Sequence, residues 1–226
     1  MISDSASPRA PRVLLLDLDG VLLDTRPVME QAWSEVRRVH GINIPFEAYA
    51  QHLGRPFDAI MELLGLEAVT DAIHRTYTQA LANSSSAARE FDGMRETLFA
   101  LAAAGWQLGV VTSKTLDRAA PLLTRLGCPF ATIRASDGPG RGKPAPDPIL
   151  LALVDLGADP GCATYVGDMA VDHEAARRAG VSYVHAGWGY GTPGLPTPEI
   201  AGEPKDLLRL VDAKAPAGPF VEGSVL

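Results

Sequence analysis

Val13-Leu14-Leu15-Leu16 is an uninterrupted apolar run that stops abruptly at Asp17-Leu18-Asp19-Gly20. A strand with one wet face alternates apolar and polar residues. One without alternation is buried on both faces, as central strands of parallel sheets are. Parallel neighbours cannot be joined by tight hairpins and need long crossovers, usually helical. The run therefore predicts that helices and further short apolar strands follow in alternation.

From Asp92 onward they do. Helical periodicity over 94–104 stops at Gly105, and a strand is expected over 107–111. A helix follows over 116–126, with Pro121 a kink and Gly127 its end, then a strand over 130–135. After the Gly/Pro loop 137–143 come a helix over 148–156, a strand over 163–166, a helix over 171–179 and a strand over 182–185. Helices of about ten residues between short strands make βαβ units, so the expected fold is α/β, a doubly wound parallel sheet. The Pro/Gly-rich stretch 187–204 is read as a surface connection, and 205–211 as a last helix.

Between the first strand and Asp92 the texture differs. Val28, Ala32, Val36 and Val39 recur at helical spacing, as do Ile73, Tyr77 and Leu81, while Gly41, Gly54 and Gly65 punctuate the stretch. This reads as an all-helical module, the cap, over 25–88, with 83–86 a turn or hinge closing it. The α/β core is then 13–24 together with 89–215. Residues 1–12 form a disordered leader without the apolar segment of a secretory signal, and 216–226 a tail.

The 226 residues amount to about one and a half typical domains, which suits a core with one insertion. With 46% hydrophobic and 21% charged residues, a buried core is feasible and wholesale disorder is excluded. Twenty Lys and Arg against 27 Asp and Glu give a net charge of −7, which argues against a dedicated nucleic-acid or anionic-membrane binder. No run approaches the roughly 18–20 apolar residues of a membrane helix. Cys128 and Cys162 make no disulfide framework and read as small buried residues. A cytoplasmic protein, monomer or homodimer, is expected.

Ligands of open parallel sheets bind at the carboxyl ends of the strands. Four polar groups fall there: Asp17 and Asp19; Thr112, Ser113 and Lys114; Lys143; and Asp168 with Asp172. Right-handed crossovers bring all four to one rim. Clustered carboxylates repel one another unless a cation holds them ionised, and hard oxygen donors without a Cys/His set favour Mg²⁺. Mg²⁺, an ammonium and a hydroxyl together form a receptor for a phosphoryl group. An Asp carboxylate can attack phosphorus, and a second Asp two residues on can move the proton.

Singly, each group has a plainer reading. Asp-Gly after an apolar run is a turn, Thr112 a helix cap, Lys143 a surface charge, and Asp168 and Asp172 helix-start carboxylates. Their joint occurrence, in order and each at a strand end, carries the argument.

These residues resemble the haloacid dehalogenase superfamily, in particular its phosphatase branch with a helical cap after the first motif. Asp17 to Thr25 is similar to the nucleophile motif, Thr112 to the second, Lys143 in Gly142-Lys143-Pro144 to the third, and Gly167-Asp168 through Asp172 to the fourth. The resemblance implies that Asp17 is the nucleophile and Asp19 the general acid/base. It implies that Thr112, Ser113 and Lys143 bind the phosphoryl oxygens. Mg²⁺ would be held by the Asp17 carboxylate, the Asp19 carbonyl and Asp168, with Asp172 in support. An Asp at position 19 favours phosphate-ester hydrolysis over dehalogenation.

Within the branch, the Val110–Lys114 segment and the Trp188–Gly191 loop look most like phosphoglycolate phosphatase. The cap-entry residues are also similar to phosphatases linked to aminohydroxybenzoate formation. The expected substrate is a small phosphorylated metabolite. A phosphomutase shares all four motifs, and a degenerate binding module is the non-enzymatic alternative. Arg55, between Gly54 and Pro56 in the cap, is a candidate substrate contact or an exposed arginine. His173 reads as a helix-surface residue, and the 187–191 loop is expected near the site.

Overall fold

The computed structural model describes residues 11–84, 88–194 and 198–214. In chain order the elements are β1 (Arg12–Leu16), β2 (Leu23–Asp24), α1 (Arg26–His40), α2 (Phe46–Ala50), α3 (Phe57–Leu63), α4 (Thr70–Ser84) and β3 (Arg89–Glu90). Then come α5 (Met94–Ala103), β4 (Trp106–Val111), α6 (Leu116–Leu126), β5 (Phe130–Arg134), α7 (Asp147–Leu156) and β6 (Ala163–Gly167). The chain continues with α8 (Ala170–Ala179), β7 (Ser182–Ala186), β8 (Glu199–Ala201) and α9 (Asp206–Lys214).

Six strands form one parallel sheet in the order β5-β4-β1-β6-β7-β8. β1 sits inside it, with Leu16 opposite Val110 of β4 on one side and Val166 of β6 on the other. The alternation hidden in the first apolar run now has a meaning. Leu14 and Leu16 pack with residues of α5, α6 and α9, whereas Val13 and Leu15 pack with residues of α7 and α8. All four are fully buried. The sheet is thus covered on both faces, as the unbroken run requires.

The chain leaves β1 for β4 and β5 on one side and returns to β6 on the other. The order reverses at β1, and the crevice at its carboxyl end is where such sheets bind ligands.

The helices between residues 26 and 84 gather around an apolar cluster of their own. Trp33 stacks on Tyr49 with ring centroids 4.5 Å apart, and its indole N–H donates to the Ile44 carbonyl at 2.9 Å. Partly buried Met169 and Tyr190, from the sheet domain, pack against this cluster.

Several details differ from expectation. The strand pair β2–β3, with Leu23 opposite Glu90 and Asp24 opposite Arg89, joins the two chain crossings into the helical module. Two-residue strands carry no periodicity, so the sequence could not announce them. Asn83 and Ser84 belong to the last turn of α4 instead of a hinge; residues 85 and 86 lie outside the described residues, as do the tail and residues 1–10. Arg12, placed in the leader by sequence, opens β1. The surface connection contains β8, which pairs with β7 at the sheet edge. α6 stays helical through Pro121. Cys128 and Cys162 are free and only half-buried, Cys128 at the edge of one core cluster and Cys162 at the end of a short 3-10 helix. His173 is buried and not on the surface, stacked on Tyr183 with centroids 4.8 Å apart. Among the described residues no helix is long and apolar enough to cross a membrane.

Candidate active site

Asp17 follows directly on β1, and its backbone N–H continues the sheet by donating to Val166 O at 2.9 Å. Its side chain is held from two sides. Oδ1 accepts the Leu18 N–H at 2.8 Å and lies 3.1 Å from Lys143 Nζ. Burial pushes the Asp17 carboxyl up to about 7, against the pull of Lys143 and with Asp172 and Asp19 adding to the rise. Lys143 is buried although it comes from the Gly/Pro loop after β5. It also donates to Asp172 Oδ1 at 2.7 Å and to the Tyr165 hydroxyl at 3.1 Å. Burial alone would lower its pKa, but the two carboxylates outweigh that and hold it above the usual lysine range.

Asp168 follows β6 and Asp172 lies in the first turn of α8. Asp172 closes that turn by accepting the Met169 N–H at 3.0 Å. One acidic oxygen each from Asp17, Asp168 and Asp172 lies within 4.8 Å of the others, a geometry suited to a divalent cation. Asp168 gives the sharpest test of that fit. Its Oδ2 accepts the Tyr190 N–H at 2.7 Å, but its buried Oδ1 has no hydrogen-bond partner among the described residues. Burial, then Asp172 and Asp17, push its pKa well above the carboxylate range. A buried oxygen without a donor beside two further carboxylates is what a hard cation satisfies. Gly20, at φ 76, makes room: a Cβ there would stand 2.2 Å from Asp168 Oδ2.

Asp19 faces the other side of the cavity. Both its oxygens accept from Lys114 Nζ, at 2.5 and 2.6 Å, and Oδ1 also accepts the Thr25 hydroxyl. Burial would raise its pKa, but Lys114 and Thr25 together hold it below the usual carboxylate value.

One cavity brings together Asp17, Asp19, Ser113, Asp168 and, from the helical module, Arg55. Thr112, Ser113 and Lys143 line a separate depression that Asp17 does not border, and the Thr112 hydroxyl accepts the Lys114 N–H at 3.2 Å. The Ser113 hydroxyl donates to the Gly54 carbonyl at 2.6 Å, so here it fastens the helical module to the sheet domain. Gly54 sits at φ 85 against α8, where a Cβ would meet Val171 Cγ2 at 2.7 Å.

Three residues play parts at the site that sequence did not foresee. Lys114 was grouped with the site, but its pairing with Asp19 was not foreseen. Arg118, in the first turn of α6 and four residues after Lys114, lines the same cavity, and no local pattern marked it. The Tyr190 hydroxyl accepts the N–H groups of Thr25 and Arg26 at 2.6 and 3.0 Å and donates to Asp24 Oδ1 at 3.0 Å. A residue 165 positions away thus secures the start of α1.

The comparisons with known proteins agree with this geometry. Residues 14–186 match the model of the haloacid dehalogenase-like hydrolases. The chain is 30% identical over 210 residues to a phosphoglycolate phosphatase from Aquifex aeolicus, covering 89% of this chain and 97% of that protein. It is 30% identical over 190 residues to an N-acetylmuramic acid 6-phosphate phosphatase from Pseudomonas aeruginosa, covering 80% and 84%. A hydrolase from Pseudomonas syringae has the same fold, with a TM-score of 0.80 at 24% identity over 90% of this chain and 99% of that one. The chain belongs to the haloacid dehalogenase-like hydrolases.

Proposed function

We propose that this enzyme is a Mg²⁺-dependent phosphatase of small-molecule phosphate monoesters working through an aspartyl-phosphate. The observation that carries the reading is one cavity holding two differently prepared carboxylates. Asp17 stands with Asp168 and Asp172, whereas Asp19 is paired with Lys114 away from them. Without metal, burial raises the pKa of Asp17, and Lys114 lowers that of Asp19 against its own burial, the reverse of what a nucleophile and an acid need. A cation held by Asp17, Asp168 and Asp172 would keep Asp17 ionised for attack.

In this reading an Asp17 oxygen attacks phosphorus, and the bond to the ester oxygen breaks. Asp19 enters the step protonated, which requires its ion pair with Lys114 to open as substrate binds. It gives that proton to the departing alkoxide and regains one from the water that attacks the aspartyl-phosphate. Inorganic phosphate leaves and Asp17 is restored. Lys143 fixes the Asp17 rotamer and balances its charge, and Thr112, Ser113 and Lys143 are the groups assigned in this reading to binding the phosphoryl oxygens. Asp17, Asp168 and the Asp19 carbonyl would hold Mg²⁺, with Asp172 in support; bound there, the ion would offset the charge on the phosphoryl oxygens. The helical module, fastened through Ser113 and Gly54, excludes bulk water, and Arg55 meets the alcohol part of the substrate.

Support for the substrate class comes from relatives named as phosphatases of phosphoglycolate and of a sugar phosphate. The test is phosphate release from a broad panel of phosphomonoesters, with Mg²⁺ and with chelator. Release is expected with Mg²⁺ only, and Asp17→Asn is expected to lower it on the order of 10³-fold or more. A wild-type protein inactive on the whole panel, or an equally active Asp17→Asn, would overturn the reading.

A further inference from the structure

The catalytic cavity is small, about 50 Å³. Space on this scale holds a few waters, so a sizeable alcohol on a bound phosphoryl group has to extend beyond it. Beside it, between α1, α4 and α6, lies a second cavity of about 340 Å³, within the usual range of small-molecule sites. The two share Met29, Lys114 and Arg118 as a common wall.

The second cavity has the lining of a binding pocket. Val28, Leu81, Pro121 and Leu122 supply apolar surface. The Thr78 hydroxyl, on its wall, is buried with no hydrogen-bond partner among the described residues. At the shared wall the charges are unequal. Lys114 is committed to Asp19, but the half-buried Arg118 guanidinium makes no ion pair or hydrogen bond among the described residues. Asp117, also on the wall, is engaged by the Thr115 hydroxyl. An arginine with no direct ion pair, though within electrostatic reach of Asp19 and Asp117, between a phosphoryl site and an apolar pocket, suits an acidic group on a molecule that spans both.

We infer that the second cavity holds the alcohol part of the substrate and that Arg118 pairs with a carboxylate on it. The substrate class is then a phosphomonoester of a hydroxy acid whose apolar body is too large for the catalytic cavity alone. This rests on the phosphatase reading and narrows it. It places the specificity contact on the sheet domain, in addition to Arg55 on the helical module.

Three probes separate the possibilities: phosphoglycolate, phenyl phosphate and 4-carboxyphenyl phosphate, each assayed with Mg²⁺ on wild type, Arg118→Met and Leu122→Trp. Wild type is expected to show a lower KM for 4-carboxyphenyl phosphate than for either other probe. Arg118→Met should lower the kcat/KM ratio of carboxyphenyl to phenyl ester at least tenfold, mainly through KM. Leu122→Trp, by filling the pocket, should lower the ratio of aryl esters to phosphoglycolate at least tenfold. Each ratio is taken within one variant, so partial misfolding cancels. Equal losses on all three probes in both variants would overturn the inference. So would a wild type that hydrolyses phosphoglycolate but neither aryl ester, with the phosphatase reading left standing. No release from these or any other phosphomonoester would sink both.

Discussion

At the scale of single residues, the site separates two carboxylates that are neighbours in sequence. Asp17 is buried and pushed up to about 7, whereas Asp19 is held low by Lys114 and Thr25 despite its burial. The first shift has a consequence for stability. Without metal, folded Asp17 keeps its proton to about pH 7 while the unfolded chain loses it near 3.8. Within that window the folded state binds more protons, so stability falls as pH rises. A divalent cation bound at this cluster would take the proton's place, and its stabilisation would grow over the same interval. Melting temperatures between pH 4.5 and 7.5 should therefore fall with rising pH in chelator, and the gain on adding Mg²⁺ should widen; a widening towards acid pH would contradict this. Lys143 offers a second check. It is the buried cation beside both Asp17 and Asp172, so Lys143→Met leaves buried carboxylates uncompensated. A loss of about 3–5 kcal/mol is expected in denaturant titration of the metal-free protein, partly recovered by Mg²⁺.

At the scale of elements, helical module and sheet domain meet at a few defined points: the β2–β3 pair, the Tyr190 hydroxyl at the start of α1, and the Gly54 loop seated against Ser113 and α8. Gly54 is where a side chain is least tolerable, since its φ of 85 and the 2.7 Å approach to Val171 both oppose a Cβ. Gly54→Ala should leave the sheet domain intact but displace the loop carrying Arg55. Steady-state kinetics should show kcat/KM reduced by about tenfold or more, for a displacement of the order of 1 Å, with the far-ultraviolet circular dichroism spectrum unchanged. Most of these elements were legible in sequence because helices of ten or more residues and buried strands leave periodic or unbroken apolar patterns. β2, β3 and β8 were not, being two or three residues long and defined only by their partners.

At the scale of the whole molecule, one sheet carries two apolar layers, with β1 contributing to both. Leu15→Ala should cost about 2–5 kcal/mol while leaving the site residues in place, measurable as a lower melting temperature with KM maintained. The sequence by itself determined the parallel α/β architecture, the helical insertion and the strand ends at which Asp17, Thr112, Lys143 and Asp168 stand. Each of these follows from local patterning of apolar and polar residues along the chain. Only the tertiary structure decided the pairings: Lys114 with Asp19, Lys143 between Asp17 and Asp172, Ser113 on Gly54, and Tyr190 at the start of α1. It also decided the burial of His173 and the second cavity behind Arg118. The pairings join residues 29 to 165 positions apart, and electrostatics and desolvation act through space, which a linear pattern does not record.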